Sequence, residues 1–347
     1  MSTDVHYIVK KYSAPKKYRR FFELIITIGG CIGLIIGAWM VFAFYPYYAM
    51  GFIIPLSLSF VRCFIIQHDC SHGSLFTINA MNRWLGRCIS IITFTPFTFW
   101  RHNHLIHHRT SSNLDQRGTG DIRMLTTDEY IQEKWFGKLT YRLSRNPFVL
   151  FLLLAPLYFL VIMRFNFSYY YRLPGYTDVH RNSIYLTDLT LIIFYVALGL
   201  TLSFYFILLI LLPAFLLAAI MGVWFFYVQH SFPNSYFARQ EKWDYKKAAL
   251  EGSSYYKLPC ILEWLTGYIG YHHIHHLCPK IPFYRLRETF IYNEAFQSAT
   301  AYGLKDTIML SKLVLYDEMK MQFISWHTFY ANKKNKLSGN NKPKSKN

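Results

Sequence analysis

Long apolar runs dominate the hydrophobic pattern of the chain. Residues 25–44 carry no charge, and residues 184–228 contain Asp188 as their only charged side chain. A helix crosses the hydrocarbon layer with about 20 apolar residues, so the second run predicts two spans joined by a turn near Gly199–Ser203. Residues 47–66 predict a further span, with Arg62 near its end, where a long side chain can snorkel. The pattern therefore predicts four spans, at about 25–44, 47–66, 184–202 and 204–228.

A fifth apolar stretch, residues 147–163, is shorter and contains Pro156. The loop that follows it carries Arg164, Arg172 and Arg181. If the stretch crossed the membrane, this basic loop would lie outside, against the usual placement of positive charge. We therefore expect residues 147–163 to be interfacial or re-entrant.

The basic charge fixes the expected orientation. Residues 1–20 are basic, and we expect them to be cytosolic, followed by a retained first span without a cleavable signal. Two successive crossings then place residues 67–146 and everything after His230 on the cytosolic side. The formal net charge is +18, but no nucleic-acid-binding motif accompanies it, so a nucleic-acid partner is excluded. We expect a helical extension over residues 301–332 and a disordered basic tail over residues 333–347.

Histidines cluster in three segments on this cytosolic side: HDCSH at 68–72, HNHLIHH at 102–108 and HHIHH at 272–276. A pair at i, i+4, or a trio at i, i+3, i+4, shares one face of a helix and can aim at one point. One such cluster can be a set of surface side chains, but three on one membrane face indicate a metal site. Eight histidines share this spacing: His68, His72, His104, His107, His108, His272, His275 and His276. A zinc site uses three or four protein ligands, so eight are too many for one ion and predict two.

The ligand type does not identify the metal, because imidazole suits zinc, copper, iron and nickel. The setting favours iron, since the available substrate beside a membrane is unactivated hydrocarbon, and zinc cannot activate O₂. A zinc-dependent membrane hydrolase is the alternative at this point. The six cysteines form no C-x-x-C pair, and we expect Cys70 and Cys278 to pack rather than bind metal.

With boxes H-x-x-x-H, H-x-x-H-H and H-x-x-H-H, the chain resembles the membrane fatty acid desaturases. The segments WRHNHLIHHRTSSNLDQRGTGDI and WDYKKAALEGSSYYKLPCILEWLTGYIGYHHIHHLCPKIPFYRL are similar to those of bacterial acyl-lipid omega-6 (Δ12-type) desaturases. The resemblance implies an all-α integral membrane fold, in which four transmembrane helices lie under a cytosolic helical cap. This desaturase domain is expected to cover residues 21–300. It also implies two non-haem Fe ions, a membrane acyl lipid and O₂ as substrates, and two electrons from a separate ferredoxin or b-type cytochrome. We expect the protein in a bacterial inner membrane.

The resemblance also implies a ninth ligand, His230, because four nitrogens for one iron and five for the other require one more histidine than the boxes hold. His230 follows the fourth span as His68 follows the second. His102 and His273 depart from the box spacing and are expected to form hydrogen bonds instead. Asp69, Asn113, Asp115 and Asp121 are candidates for orienting imidazoles as hydrogen-bond acceptors.

Two other functions stay open. An acyl hydroxylase or a carotenoid ketolase or hydroxylase uses the same scaffold, and a membrane metal transporter also places metal ligands among spans. A transporter holds its ligands near the bilayer midplane, whereas these histidines follow the spans. The sequence does not set the double-bond position, the acyl length, the lipid headgroup or the oligomeric state.

Overall fold

A computed structural model describes residues 5–165 and 172–339, and these residues are mostly helical. Short 3₁₀ turns and five short strands complete the secondary structure. The helices are α1 Val5–Tyr12, α2 Lys17–Phe44, α3 Pro46–His72, α4 Asn79–Thr93, α5 Phe97–Thr110, α6 Thr127–Gln132, α7 Trp135–Ser144, α8 Phe148–Phe165, α9 Asp178–Leu202, α10 Phe204–His230, α11 Tyr245–Glu251, α12 Cys260–Leu265, α13 His272–Leu277, α14 Leu286–Ile291, α15 Thr307–Ser311 and α16 Trp326–Gly339. The strands are β1 Leu125–Thr126, β2 Tyr255–Lys257, β3 Ala301–Gly303, β4 Leu313–Asp317 and β5 Gln322–Ser325.

Two helical hairpins, α2–α3 and α9–α10, form the apolar body. Ser203, whose φ is +108°, separates α9 from α10. The two hairpin turns lie side by side, because the Trp39 indole donates to the carbonyl oxygen of Leu202 (3.0 Å) and Phe42 packs on Phe206. Consequently α3 and α10 both end at the opposite side of the apolar body.

Each of these four helices extends beyond its predicted apolar run at that opposite side. α3 continues through polar residues to His72, where Gly73 ends it with φ +64°. The polar residues are tolerated because they have partners: the Gln67 amide donates to the hydroxyl of Ser90 (3.0 Å) and accepts from that of Thr93 (2.7 Å). Packing against α4 thus carries helix α3 past the apolar boundary that the sequence pattern shows.

Helix α8 differs from the expectation of four long helices, since five described helices are long and apolar enough to cross a membrane. Its two flanks nevertheless lie on the side where α3 and α10 end. Before it, Arg145 stacks on Tyr227, three residues from the end of α10. After it, Tyr176 stacks on His180 in the first turn of α9. Because both flanks lie on one side, the re-entrant course of α8 stays our prediction, although its length would allow a crossing.

The expected helical extension over residues 301–332 is wrong, because this segment contains β3, β4 and β5. β4 pairs antiparallel with β5 and parallel with β1, in the order β1-β4-β5. The strands form because Leu315 and Ile324 are buried with the ring of Phe329, and Asp317 accepts the N–H groups of Met319 and Lys320 in the turn.

The described residues near both ends of the chain are structured. α16 continues to Gly339, so the expected disordered tail is wrong for residues 333–339, and residues 340–347 lie outside the described part. At the amino end, Ile8 and Tyr12 are buried beside Leu277. The Arg285 guanidinium donates to the carbonyl oxygens of Tyr12 (3.0 Å) and Ala14 (3.2 Å), which fixes the basic N-terminus to the cap.

Candidate metal centre

Four helices bring the nine predicted ligands to one place. His68 and His72 occupy the last turns of α3, and His230 is the last residue of α10. Helices α5 and α13 contribute the i, i+3, i+4 trios of the second and third clusters. The nine imidazoles therefore meet where the apolar body ends and the cap begins.

Five histidines form the first group. The ligand nitrogens of His68, His72, His104, His108 and His275 all lie within 4.8 Å of one another. The Nε2 atom of His104 is 2.9 Å from that of His72 and 3.1 Å from that of His108. The Nε2 atom of His108 is also 3.0 Å from that of His275. A neutral imidazole carries one donor and one acceptor, so five converging nitrogens cannot all satisfy one another, but a shared cation satisfies all of them.

Four histidines form the second group. The ligand nitrogens of His107, His230 and His276 lie within 4.8 Å of one another. His272 joins them, because its Nε2 atom is 3.0 Å from that of His230 and 3.1 Å from that of His276. The lone histidine after the fourth span thus lies among box histidines.

Burial keeps the ring nitrogens in the form that binds metal. Each of the nine side chains is at most 9 % exposed. Burial, with a smaller contribution from neighbouring imidazoles, holds the pKa values of His104, His108 and His276 well below the usual range. Neutral imidazole is the ligating species, so the donor set fits two soft or borderline transition-metal ions.

Among the four candidate orienting residues, Asp121 is the one that bonds an imidazole. Its carboxylate accepts a hydrogen bond from Nδ1 of His107. Asp69 lies 3.9 Å from Nδ1 of His68 and accepts the N–H of Phe283 instead.

Asn113 and Asp115, the other two candidates, do not orient an imidazole. Asn113 donates to Gln240, and Asp115 pairs with Arg239. The segment that holds both residues turns toward the strand region of the cap, so the orienting role predicted for them is wrong.

His102 and His273 lie outside both groups. The His102 ring packs on His180, with centroids 4.4 Å apart. Nε2 of His273 lies 3.2 Å from the carbonyl oxygen of Phe296, and burial lowers its pKa to about 4. Their geometry is that of packed histidines.

Sequence reasoning missed the loop that covers α5. Gly120 has φ +73°, and a Cβ there would lie 2.8 Å from the carbonyl oxygen of Asn103 and 3.1 Å from Cβ of His107. Only glycine allows this close approach, which delivers Asp121 to His107. The available signal was the spacing Gly-Thr-Gly-Asp at residues 118–121.

Two basic side chains near the histidines also have structural partners. Arg101 donates to the carbonyl oxygen of Ser71 and Lys280 to that of His72, each at 2.7 Å. Both therefore complete the carboxyl end of α3, where cations offset the helix dipole.

A cavity of about 460 Å³ opens onto the histidines from the apolar body. His68, His104 and His272 line it, and so do Phe60 and Phe215, which lie deeper in the apolar body on α3 and α10. The indole of Trp100 stacks on His104 at 4.7 Å beside the cavity. Its volume is within the range of small-molecule sites, so an apolar ligand can reach the imidazoles without leaving the apolar body.

Comparison with known proteins agrees with this geometry. Residues 38–303 match the protein family described as "Fatty acid desaturase". A "Fatty acid desaturase" of Bacillus subtilis (strain 168) is 41% identical over 325 residues, which cover 92% of this chain and 89% of the relative. The "sn-1 oleoyl-lipid 12-desaturase" of Picosynechococcus sp. is 26% identical, covering 75% of this chain and 73% of its own. The "sn-1 acyl-lipid omega-3 desaturase (ferredoxin)" of Synechocystis sp. is 26% identical, covering 74% and 70%.

Proposed function

The chain belongs to the fatty acid desaturase family, and on this basis we propose that it introduces a cis double bond into an acyl chain of a membrane lipid. The reaction converts –CH₂–CH₂– to –CH=CH–, and two electrons and two protons from outside complete the reduction of O₂ to two waters. The observation that carries the proposal is the meeting of nine buried imidazoles with a mainly apolar cavity that His68, His104 and His272 line.

Two iron ions are the proposed metals, held by His68, His72, His104, His108 and His275 in one group and by His107, His230, His272 and His276 in the other. Iron bound there would supply the O₂ activation that removal of hydrogen from a saturated chain requires. The protein side chains hold the two sets of neutral nitrogens in place and line the cavity with apolar groups that exclude water. The cavity then presents two adjacent methylenes of the substrate to the imidazole cluster.

The proposed location is a membrane with the centre on the cytosolic side. The basic N-terminus supports this orientation, since Arg285 fixes it to the same cap that carries α13. Positively charged segments favour the cytosolic side.

An external ferredoxin or b-type cytochrome is the proposed electron donor. The printed name of the Synechocystis relative includes ferredoxin, which supports the first of these.

Expression in a bacterial host that makes no polyunsaturated lipids tests the activity. Gas chromatography of fatty acid methyl esters should show a new unsaturated product, and metal analysis of anaerobically purified protein should give two irons per chain. A hydroxylated product would identify the hydroxylase alternative, and active protein with zinc alone would refute the iron centre.

Substitution of the ligands tests the site. We expect alanine at any box histidine, or at His230, to abolish product and lower iron content while membrane insertion is retained. His230→Gln should not rescue, because an amide is a poor iron ligand. His102→Ala and His273→Ala are the matched controls, and full iron and activity in His230→Ala would remove that residue from the centre.

A further inference from the structure

One face of α10 lines the cavity with small residues. Ala218, Ala219 and Gly222 line it between two large rings, Phe226 near the histidines and Phe215 toward the apolar end. The spacing of these positions, three or four residues apart, places them along one stripe of the helix. The small side chains of this stripe leave room for a ligand between the two rings.

Packing does not explain the glycine at position 222. A Cβ built there would meet no atom within 4 Å. At Gly86 and Gly199, by contrast, an added Cβ would lie 2.4 Å and 2.3 Å from a phenylalanine ring. Glycine also destabilises a helix by about 1 kcal/mol relative to alanine, and no neighbouring atom prevents an alanine at position 222.

Gly222 of α10 lies at the same depth below the histidines as Phe60 of α3. It precedes His230 by eight residues, which is about 12 Å along a helix. On α3, Phe60 precedes His68 by the same number of residues and lines the same cavity. A side chain added at position 222 would therefore shorten the cavity beyond the histidines and leave the imidazoles untouched.

A polar side chain indicates which end of a ligand lies where. Asn103 lines the cavity beside His104, is 6 % exposed, and its Oδ1 has no hydrogen-bond partner among the described residues. A buried amide without a partner costs free energy, so this region suits a ligand or water with polar atoms. The far end, at Phe215, suits a methyl terminus.

We infer that Gly222 sets how many carbons of the acyl chain pass beyond the metal centre toward the methyl end. The inference rests on the proposed desaturase function and deepens it. Gly222 is then a specificity-determining residue that fixes the reacting carbons by their distance from the methyl terminus. In an apolar pocket, each methylene that no longer fits lowers kcat/KM for that chain by roughly 10- to 200-fold.

A graded series tests the inference: Gly222→Val, Gly222→Leu and Gly222→Phe, expressed in the polyunsaturate-free host. Double-bond positions are located by mass spectrometry of derivatised esters. We expect the segment between double bond and methyl terminus to shorten stepwise as the side chain grows, or the preferred substrate to become shorter. Phe60→Ala, which removes a ring at the same depth as Gly222, should shift products the opposite way. Gly33→Leu is the matched control, because Gly33 is an exposed glycine of α2 with no atom within 4 Å of an added Cβ.

Two further measurements separate the possible failures. Thermal stabilisation by phospholipids of graded saturated chain length should peak at a shorter length in Gly222→Leu, which reports binding without turnover. Wild-type protein that makes no unsaturated product would refute the proposed function. If the wild type is active but the products and the length preference stay unchanged across the Gly222 series, the role of Gly222 in specificity is refuted and the proposed function stands.

Discussion

The hydrogen bond between Asp121 and His107 offers a sharp test of the second histidine group. The carboxylate accepts from Nδ1 of His107, which leaves Nε2 directed at the group, 3.3 Å from Nε2 of His276. Asp121→Ala would remove the acceptor that fixes both the tautomer and the ring orientation. Because the Asp121 side chain is only 19% exposed, water would be a poor substitute for its carboxylate as the acceptor.

The expected magnitude follows from comparable contacts. Loss of a carboxylate that orients a metal-bound histidine costs 10- to 100-fold in metal affinity, or about 1.4–2.7 kcal/mol. Because Asp121 contacts a ligand of the second group and none of the five histidines of the first, the loss should affect one of two metal ions. Iron content should therefore fall from two per chain toward one as chelator is added.

The assay is a chelator titration followed by metal analysis, with desaturation measured in parallel. Asp115→Ala is the matched control, since Asp115 lies on the same segment but pairs with Arg239 at the surface, at 2.8 Å and with 41% of its side chain exposed. A surface pair of this kind contributes about 0–1 kcal/mol. Equal chelator midpoints for Asp121→Ala and wild type, while His107→Ala releases iron, would refute the orienting role.

Three further predictions concern the loop, the cap and the donor. Gly120→Ala should lower iron retention more than Gly118→Ala. Both positions have positive φ, so either alanine adds about 1–2 kcal/mol of strain, but of the two only a Cβ at position 120 would lie within 4 Å of other atoms. Equal effects would contradict the close-approach argument. Burial lowers the pKa of His273 from 6.5 to about 4, so the free energy of unfolding should fall by up to about 1.4 kcal/mol per pH unit as pH drops from 6.5 toward 4. Thermal unfolding of His273→Gln should therefore depend less on pH than that of the wild type. An unchanged pH dependence would exclude this contribution of His273. We expect an acidic electron donor to be attracted by exposed basic side chains of the cap such as Arg109 on α5. Turnover under donor-limited conditions should then fall as salt rises, since this attraction is screened beyond roughly 8 Å at physiological ionic strength, and Arg109→Ala should weaken the salt dependence. A rate independent of salt would argue against an acidic donor.

The sequence alone predicted the helical membrane architecture and the eight box histidines, whereas His230 came from the family resemblance. Hydrophobic length and the i, i+3, i+4 spacing are local properties, so they can be read without knowledge of the fold. The ends of the helices were less predictable: α3 continues past residue 66 because Gln67 finds partners on α4. The strands of the C-terminal segment were missed for the same reason, since β4 is stabilised by pairing with β1, far away in the sequence.

What only the tertiary structure decided is how the nine histidines divide. The second box is split, with His104 and His108 in the first group and His107 in the second, and the third box is split in the same way. The choice of Asp121 over Asp115, and the space beside Gly222, also depend on which helix lies opposite. The physical reason is that the spacing within one helix fixes which side chains share a face, whereas which nitrogens converge depends on contacts such as His107–His276, 169 residues apart in the chain.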